Sequence, residues 1–220
     1  MSHSPHAITR QLESAVAAYT GAPYAVAVNS CSMALLLAVR WHLSVNRTCG
    51  ERRGVEIPKR TYVSVPQSIL LAGGRPMFRD EEWVGAYELR PIKVWDSARW
   101  FTSNLYKKVA PSLGRGRGRG FVCTSHHATK TLGDSQGGMI LHDSAEADIW
   151  LRKARFDGRT EGVAPKDDHF DMIGWHAYMS PDVAARLLWK LSVLPKHNAP
   201  LPNDEYPDLS KFPIFQRSHP

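Results

Sequence analysis

The sequence of 220 residues has few cysteines, and their number limits the classes of protein it can represent. There are three, Cys31, Cys49 and Cys123, and they show no paired spacing of the kind that holds a metal ion. A small, odd number argues against a disulfide framework and against a zinc site. We therefore expect reduced thiols, no bound metal and a cytoplasmic location.

Long apolar runs are also missing. No uninterrupted apolar stretch approaches the roughly 20 residues that a membrane-spanning helix needs, so we expect no membrane span. Residues 1–16 lack the charged and apolar zones of a secretory signal, so we expect none there. No segment recurs at a fixed period, which argues against a solenoid or another repeat architecture.

Basic residues outnumber acidic ones and give a formal net charge of +7. Part of this excess lies in Arg115, Arg117 and Arg119 of the segment GRGRGRG. Such a segment is typical either of a loop that touches nucleic acid or an anionic substrate, or of an ordinary surface connection. Arginines without interleaved aromatic residues favour the surface connection, so a nucleic-acid partner is not expected.

Apolar runs of strand length alternate with stretches of helix length along most of the chain, which predicts an α/β fold with a mainly parallel central sheet flanked by helices. Residues 46–54 and 83–91 have the composition of surface connections, and proline recurs from residue 195 onward. The predicted helices cover 9–19, 33–43, 65–72, 145–155 and 181–194, and the predicted strands cover 24–28, 55–58, 92–95, 121–123 and 139–141.

Two places along this pattern carry polar residues where a strand ends. Ser30, Cys31 and Ser32 form a turn between a strand and a helix, which favours either an anion site at the helix N-terminus or a simple helix cap. Asp96 follows a buried strand and is expected either to point into a ligand crevice or to cap a helix that begins near Ser97.

A third such segment, residues 121–141, contains a lysine between two apolar predicted strands. Lys130 lies five positions after Ser125 and precedes the glycine pair Gly137-Gly138. A lysine set among small polar residues beside buried strands can be partly desolvated, which lowers its pKa and frees the neutral amine for Schiff-base chemistry. Ser125 is placed to hydrogen-bond a phosphate beside it.

This last motif, Ser125-x-x-x-x-Lys130-x-Leu132-Gly133 followed by Gly137-Gly138, resembles the cofactor-lysine motif of the DegT-type sugar aminotransferases. These are enzymes of the aspartate-aminotransferase fold type that depend on pyridoxal 5'-phosphate (PLP). The resemblance implies that Lys130 carries PLP and that Ser125 binds its phosphate.

The resemblance extends to other positions. It implies that Ser30, Cys31 and Ser32, where the family has Ser-Gly-Thr, hold the phosphate. Tyr62, which by itself is typical of an ordinary aromatic, would stack on the pyridine ring.

Asp96 would keep the ring nitrogen protonated. Arg99 stands where the family has a Gln that contacts the ring hydroxyl. His176 stands where an Asn reaches the cofactor phosphate of the partner subunit, and it could still donate a hydrogen bond.

The resemblance implies a PLP-binding large domain over residues 1–194 and an extended Pro-rich tail over 195–220, in a shortened form without the family's C-terminal domain. It implies an aminotransferase acting on a keto sugar, carried on a nucleotide, with glutamate as amino donor, in a homodimer with shared active sites. The alternatives are a PLP-binding protein without transaminase activity and a basic nucleic-acid-binding or regulatory protein.

Overall fold

A computed structural model describes residues 6–45, 54–110 and 120–216 of the chain. Most of the predicted connection over 46–54, and Arg115, Arg117 and Arg119 of the GRGRGRG segment, lie outside these ranges. The six α-helices of the described residues are α1 Ala7–Thr20, α2 Cys31–Val45, α3 Ser64–Leu71, α4 Leu105–Val109, α5 Ala145–Ala154 and α6 Pro181–Ser192. The seven strands are β1 Tyr24–Val28, β2 Gly54–Pro58, β3 Arg75–Arg79, β4 Tyr87–Leu89, β5 Val94–Asp96, β6 Phe121–Ser125 and β7 Gly138–His142.

Five strands form the main sheet, in the order β1-β7-β6-β5-β4. Only the β5–β6 pair is parallel, and the other three pairs are antiparallel. The α/β fold is therefore confirmed, but the prediction of a mainly parallel sheet is wrong. The reason is that short connections without a crossover helix join β4 to β5 and β6 to β7, and a parallel pair would need such a crossover.

Strand β4 lies within residues 83–91, where the sequence predicted a surface connection. Tyr87 and Leu89 are buried, whereas Glu88 between them is partly exposed. The strand is only three residues long, so its alternation of buried and exposed positions is too short to stand out from the surrounding polar residues. The missed strand matters because Tyr87 pairs in register with Asp96 at the end of β5.

The sheet separates two apolar layers. On β1, Val26 and Val28 face the layer that includes helix α2, whereas Ala25 and Ala27 face the layer that includes α1 and α6. This alternation follows from the two-residue period of a strand. Helices cover both faces, so nearly every β1 and β7 side chain is buried.

A second, two-stranded sheet pairs β2 with β3 in parallel. Helix α3 connects these two strands, which is the crossover that parallel pairing requires. No helix in the described part of the chain is long and apolar enough to cross a membrane.

The C-terminal segment 195–216 lies against the same chain. The Tyr19 hydroxyl donates to the Pro195 carbonyl at 2.5 Å, the Trp100 indole N–H donates to the Asn198 carbonyl at 2.9 Å, and the Leu209 N–H donates to the Lys59 carbonyl at 2.8 Å. Part of the segment is extended, and its end forms two short 3-10 turns, Leu209–Lys211 and Pro213–Phe215.

Candidate active site

A pocket of about 340 Å³ opens where β1, β5 and β6 end. These three strands run in the same direction, so their carboxyl ends meet at one edge of the sheet. In open α/β sheets this edge is where ligands bind. The residues that line the pocket include seven of the nine predicted site residues: Ser30, Cys31, Ser32, Tyr62, Asp96, Ser125 and Lys130.

The N-terminus of α2 forms one side of this pocket. The Ser30 hydroxyl accepts the Met33 N–H at 3.2 Å, and the Ser32 hydroxyl donates to the Ser64 hydroxyl at 2.7 Å. The Cys31 thiol is largely enclosed, and burial, followed by the charge of Asp96, raises its pKa well above the usual range. The thiol therefore remains protonated, and the backbone N–H groups of this helix start present an electropositive surface to an anion.

Gly138, the first residue of β7, lies close to the backbone of Ser30 and Cys31 at the start of α2. It thereby joins this helix start to the loop between β6 and β7 that carries Lys130, called here the lysine loop. A Cβ atom on Gly138 would lie 2.4 Å from the carbonyl carbon of Ser30 and 2.7 Å from the Cys31 nitrogen. Only glycine allows this approach of two backbones. The neighbouring Gly137 also forms a bridge with Ser30, so the two polar motifs are joined through backbone contacts.

The loop between β6 and β7, which carries Lys130, is fixed from inside by His126. This imidazole is fully buried, and burial lowers its pKa to about 4. It is therefore neutral, so Nδ1 donates to the Leu132 carbonyl at 2.9 Å and Nε2 can accept from the Thr124 hydroxyl at 3.4 Å.

The same loop is tied to helix α6 by Asp134. Its carboxylate accepts from Arg186 at 2.9 Å and from Lys190 at 2.7 Å, while Lys190 also donates to the Gly133 carbonyl at 2.7 Å. Hydrogen bonding from Arg186 is the main cause that holds the pKa of Asp134 well below its usual range. The lysine loop is thus held by the buried His126 and, through Asp134, by helix α6.

Lys130 has a lowered pKa. Burial is the largest cause and the positive charge of Arg99 adds to it, whereas the negative charges of Asp204 and Asp96 oppose it. A larger fraction of this amine is neutral near pH 7 than for an ordinary lysine, and the neutral form is the nucleophile and the proton acceptor.

Asp96 is 5% exposed and has two hydrogen-bond donors. Its Oδ2 accepts the Tyr87 hydroxyl at 2.9 Å and its Oδ1 accepts the Ala98 N–H at 2.9 Å. Burial raises the pKa of Asp96, and these two hydrogen bonds and the charge of Lys130 oppose the rise. Tyr87 in turn lies 2.6 Å from the Thr61 hydroxyl, which donates to it because the Tyr87 proton is used at Asp96.

The two remaining predicted site residues do not line the pocket. Arg99 is largely buried and pairs with Asp204 at 2.8 Å. The side chain of His176 is 71% exposed and pairs with Asp157 at 3.0 Å. The role of His176 toward a partner subunit stays a prediction.

Four polar residues that the sequence analysis did not select belong to the site. Tyr87 and Thr61 support Asp96, while Asp204 and Tyr206 of the C-terminal segment line the pocket. Tyr206 keeps its proton, because burial is the main cause that raises its pKa to about 12. The strand that carries Tyr87 is too short for its alternation to be recognised in the sequence, and nothing local marks Asp204.

Two acidic residues, Asp168 and Asp171, make contacts that stabilise the surrounding loop. Asp168 accepts the Thr160 N–H at 2.8 Å and Asp171 pairs with Lys153 at 2.7 Å. Within the described ranges, no group of three or more His, Cys, Asp or Glu residues is arranged to hold a metal ion.

Comparison with known families gives a match to one of them. The model of the DegT/DnrJ/EryC1/StrS aminotransferase family matches residues 5–89. This range includes Ser30 and Tyr62 and ends before Asp96 and Lys130. The resemblance predicted from the sequence is thus confirmed over residues 5–89. No curated protein sequence matches the chain.

Solved structures share the fold at low sequence identity. PseC of Helicobacter pylori, an aminotransferase involved in the biosynthesis of pseudoaminic acid, is 17% identical with a TM-score of 0.66, over 86% of this chain and 58% of PseC. The sugar aminotransferase CalS13 of Micromonospora echinospora is 17% identical with a TM-score of 0.67, over 88% of this chain and 62% of CalS13. AtS13 of Actinomadura melliaura is 18% identical with a TM-score of 0.67, over 87% of this chain and 61% of AtS13.

These similarities confirm the predicted fold type, which is aspartate-aminotransferase-like. The chain spans only 58% to 62% of the length of the three solved proteins.

Proposed function

We propose that this protein is a PLP-dependent aminotransferase that acts on a keto sugar. The observation that carries the proposal is a single pocket that contains three groups of complementary chemistry. These are the amine of Lys130 with its lowered pKa, the buried carboxylate of Asp96, and the N-terminus of α2 with its serine hydroxyls. Sites with such perturbed groups in a cleft are candidates for catalysis.

The residues present fit PLP. The start of α2 offers backbone N–H groups, and Ser30, Ser32 and Ser125 add hydroxyl groups to the same pocket, so together they suit a phosphate. Asp96 has lone pairs left after its two hydrogen bonds, so it can accept one more from a ring N–H. The pocket volume of about 340 Å³ lies within the range of about 300–1,000 Å³ that is typical of small-molecule sites.

The side chains have distinct tasks in this proposal. Bound PLP supplies an electron sink that stabilises a carbanion next to nitrogen. Lys130 holds the cofactor, and its Nζ takes up and returns the proton that moves during amino transfer. Asp96 keeps a proton on the ring nitrogen, and Tyr62, which is 58% exposed at the pocket, covers the ring by stacking.

The finer parts of the proposal are a nucleotide-linked keto sugar, glutamate as the amino donor, a homodimer with shared active sites and a cytoplasmic location. The name of CalS13, a sugar aminotransferase, supports a sugar substrate. The exposed side chain of His176 is accessible to a second subunit, which supports its assignment to a shared site. The cytoplasmic location is supported by the unpaired thiols of Cys31 and Cys123.

A spectroscopic experiment tests this proposal. We expect the protein mixed with PLP to show visible cofactor absorbance, and borohydride treatment followed by peptide mapping to place a pyridoxyl group on Lys130. Lys130→Ala should abolish both signals, whereas Lys107→Ala, a change at an exposed lysine on α4, should leave them intact. Addition of glutamate should change the absorbance of the loaded protein.

Two results would contradict the proposal. Absorbance that persists unchanged in Lys130→Ala would remove this lysine from the site. A loaded protein that responds neither to glutamate nor to any other amine would be a PLP-binding protein without transaminase activity.

A further inference from the structure

The C-terminal segment contributes a wall of the pocket. Asp204 and Tyr206 line it together with Lys130 and Asp96, although they lie far from both in the sequence. The charge of Asp204 raises the pKa of Lys130, which places the carboxylate within electrostatic reach of the amine.

The carboxylate of Asp204 is only partly used within the protein. Its Oδ2 accepts from Arg99 at 2.8 Å and from the Tyr206 hydroxyl at 3.3 Å. Within residues 6–45, 54–110 and 120–216, its Oδ1 accepts no hydrogen bond, and the side chain is 64% exposed. One oxygen is therefore fixed while the other remains available at the pocket.

Arg99 holds this carboxylate in place. Its side chain is 9% exposed, its Nη2 donates to the Pro202 carbonyl, and its own carbonyl accepts the Leu201 N–H at 2.7 Å. Arg99 therefore contacts Leu201, Pro202 and Asp204, and these three contacts hold this part of the C-terminal segment in place. A buried guanidinium paired to one oxygen of an exposed carboxylate gives that carboxylate a defined direction.

We propose that Asp204 is a substrate-binding residue whose free oxygen accepts a hydrogen bond from a hydroxyl or ammonium group of a polyhydroxylated amine. Arg99 is the positioning residue that orients it, rather than a contact to the cofactor ring. The inference rests on the proposed function and adds the group that selects its sugar substrate. Because Asp204 is an acceptor with negative charge, it disfavours a substrate that presents a carboxylate or phosphate at this wall.

Equilibrium titrations with D-glucosamine and with L-glutamate test the inference. Calorimetry or ligand-observed NMR measures the affinities directly, so this readout does not depend on turnover or on cofactor absorbance. Asp204→Asn should weaken glucosamine binding about 10–150-fold, the range of one lost hydrogen bond to a charged group. Glutamate binding should stay the same or become tighter. Glu205→Gln removes the same charge one residue further along, outside the pocket, and should change neither affinity.

Arg99 is tested through its dependence on Asp204. Arg99→Lys keeps the positive charge but loses the planar fork, so it should weaken glucosamine binding in the native background. In the Asp204→Asn background the same change should have little further effect. Additive losses would show that Arg99 acts structurally and would overturn its positioning role.

The inference is overturned if Asp204→Asn binds glucosamine as the native protein does, if it weakens glutamate equally, or if Glu205→Gln has the same effect. Failure of the proposed function looks different. In that case the native protein shows no cofactor absorbance, while the glucosamine titration still decides the role of Asp204.

Discussion

Replacement of Tyr87 by Phe removes one hydroxyl from beneath the candidate site. That hydroxyl donates to Asp96 Oδ2 at 2.9 Å, and both residues are buried, at 4% and 5% exposure. A hydrogen bond to a charged group contributes about 1.5–3 kcal/mol. For a chain of this size, such a loss corresponds to a fall in Tm of about 3–12 °C.

The loss of stability in Tyr87→Phe should depend on pH, and the titration of Asp96 determines whether it is larger at high or at low pH. Burial raises the pKa of this carboxyl above its unfolded value, so ionisation of Asp96 lowers the stability as the pH rises toward and through the folded pKa. Without the Tyr87 hydroxyl, the folded pKa rises further. The variant should therefore lose more stability at pH 7.5 than at pH 4.5, close to the unfolded pKa of about 4.

Urea unfolding of the native protein and of Tyr87→Phe at both pH values measures this difference, because groups other than Asp96 titrate alike in the two proteins. Tyr19→Phe is a control of the same residue type, since the Tyr19 hydroxyl donates at 2.5 Å to the uncharged carbonyl of Pro195 and accepts from the uncharged amide of Asn198 at 3.0 Å. Its loss should be the same at both pH values. An equal loss at both pH values for Tyr87→Phe would refute the coupling to Asp96.

Two further changes have defined outcomes. Gly138→Ala places a Cβ atom 2.4 Å from backbone atoms of the Ser30 turn, so it should lower the free energy of unfolding by about 1–3 kcal/mol or more and weaken PLP binding in a titration. Gly162→Ala is the control, because no atom lies within 4 Å of its Cβ position although its φ is +83°. It should lower the free energy of unfolding without weakening PLP binding. Equal PLP affinities in both variants would contradict the role of the close approach at Gly138. Asp134→Asn should lower the urea midpoint at pH 7 and lower it much less below pH 3. The reason is that the pKa of Asp134 is lower in the folded than in the unfolded protein, so its ionised carboxylate stabilises the fold. This stabilisation is lost as the pH falls from the unfolded pKa of about 4 toward the folded pKa. An equal change at both pH values would remove the ionised carboxylate as its cause.

Much of the secondary structure could be predicted from local patterns. Strand β1 has the predicted bounds, Tyr24–Val28, and α5 differs from its prediction by one residue. Strand β4 could not be predicted, because only its pairing with β5 and the burial of Tyr87 make those three residues a strand. The direction of pairing in the main sheet was also wrong, since strand spacing does not state which strands become neighbours.

For the candidate site, the sequence by itself determined the motifs around Ser30, Asp96 and Lys130, because each consists of a strand end and the polar turn after it. Only the tertiary structure decided which residues complete the pocket. Asp204 meets Arg99 across 105 positions of the chain, and no short-range period or turn preference encodes such a contact. Burial likewise follows from packing, and it is burial that lowers the pKa of Lys130 and raises that of Asp96.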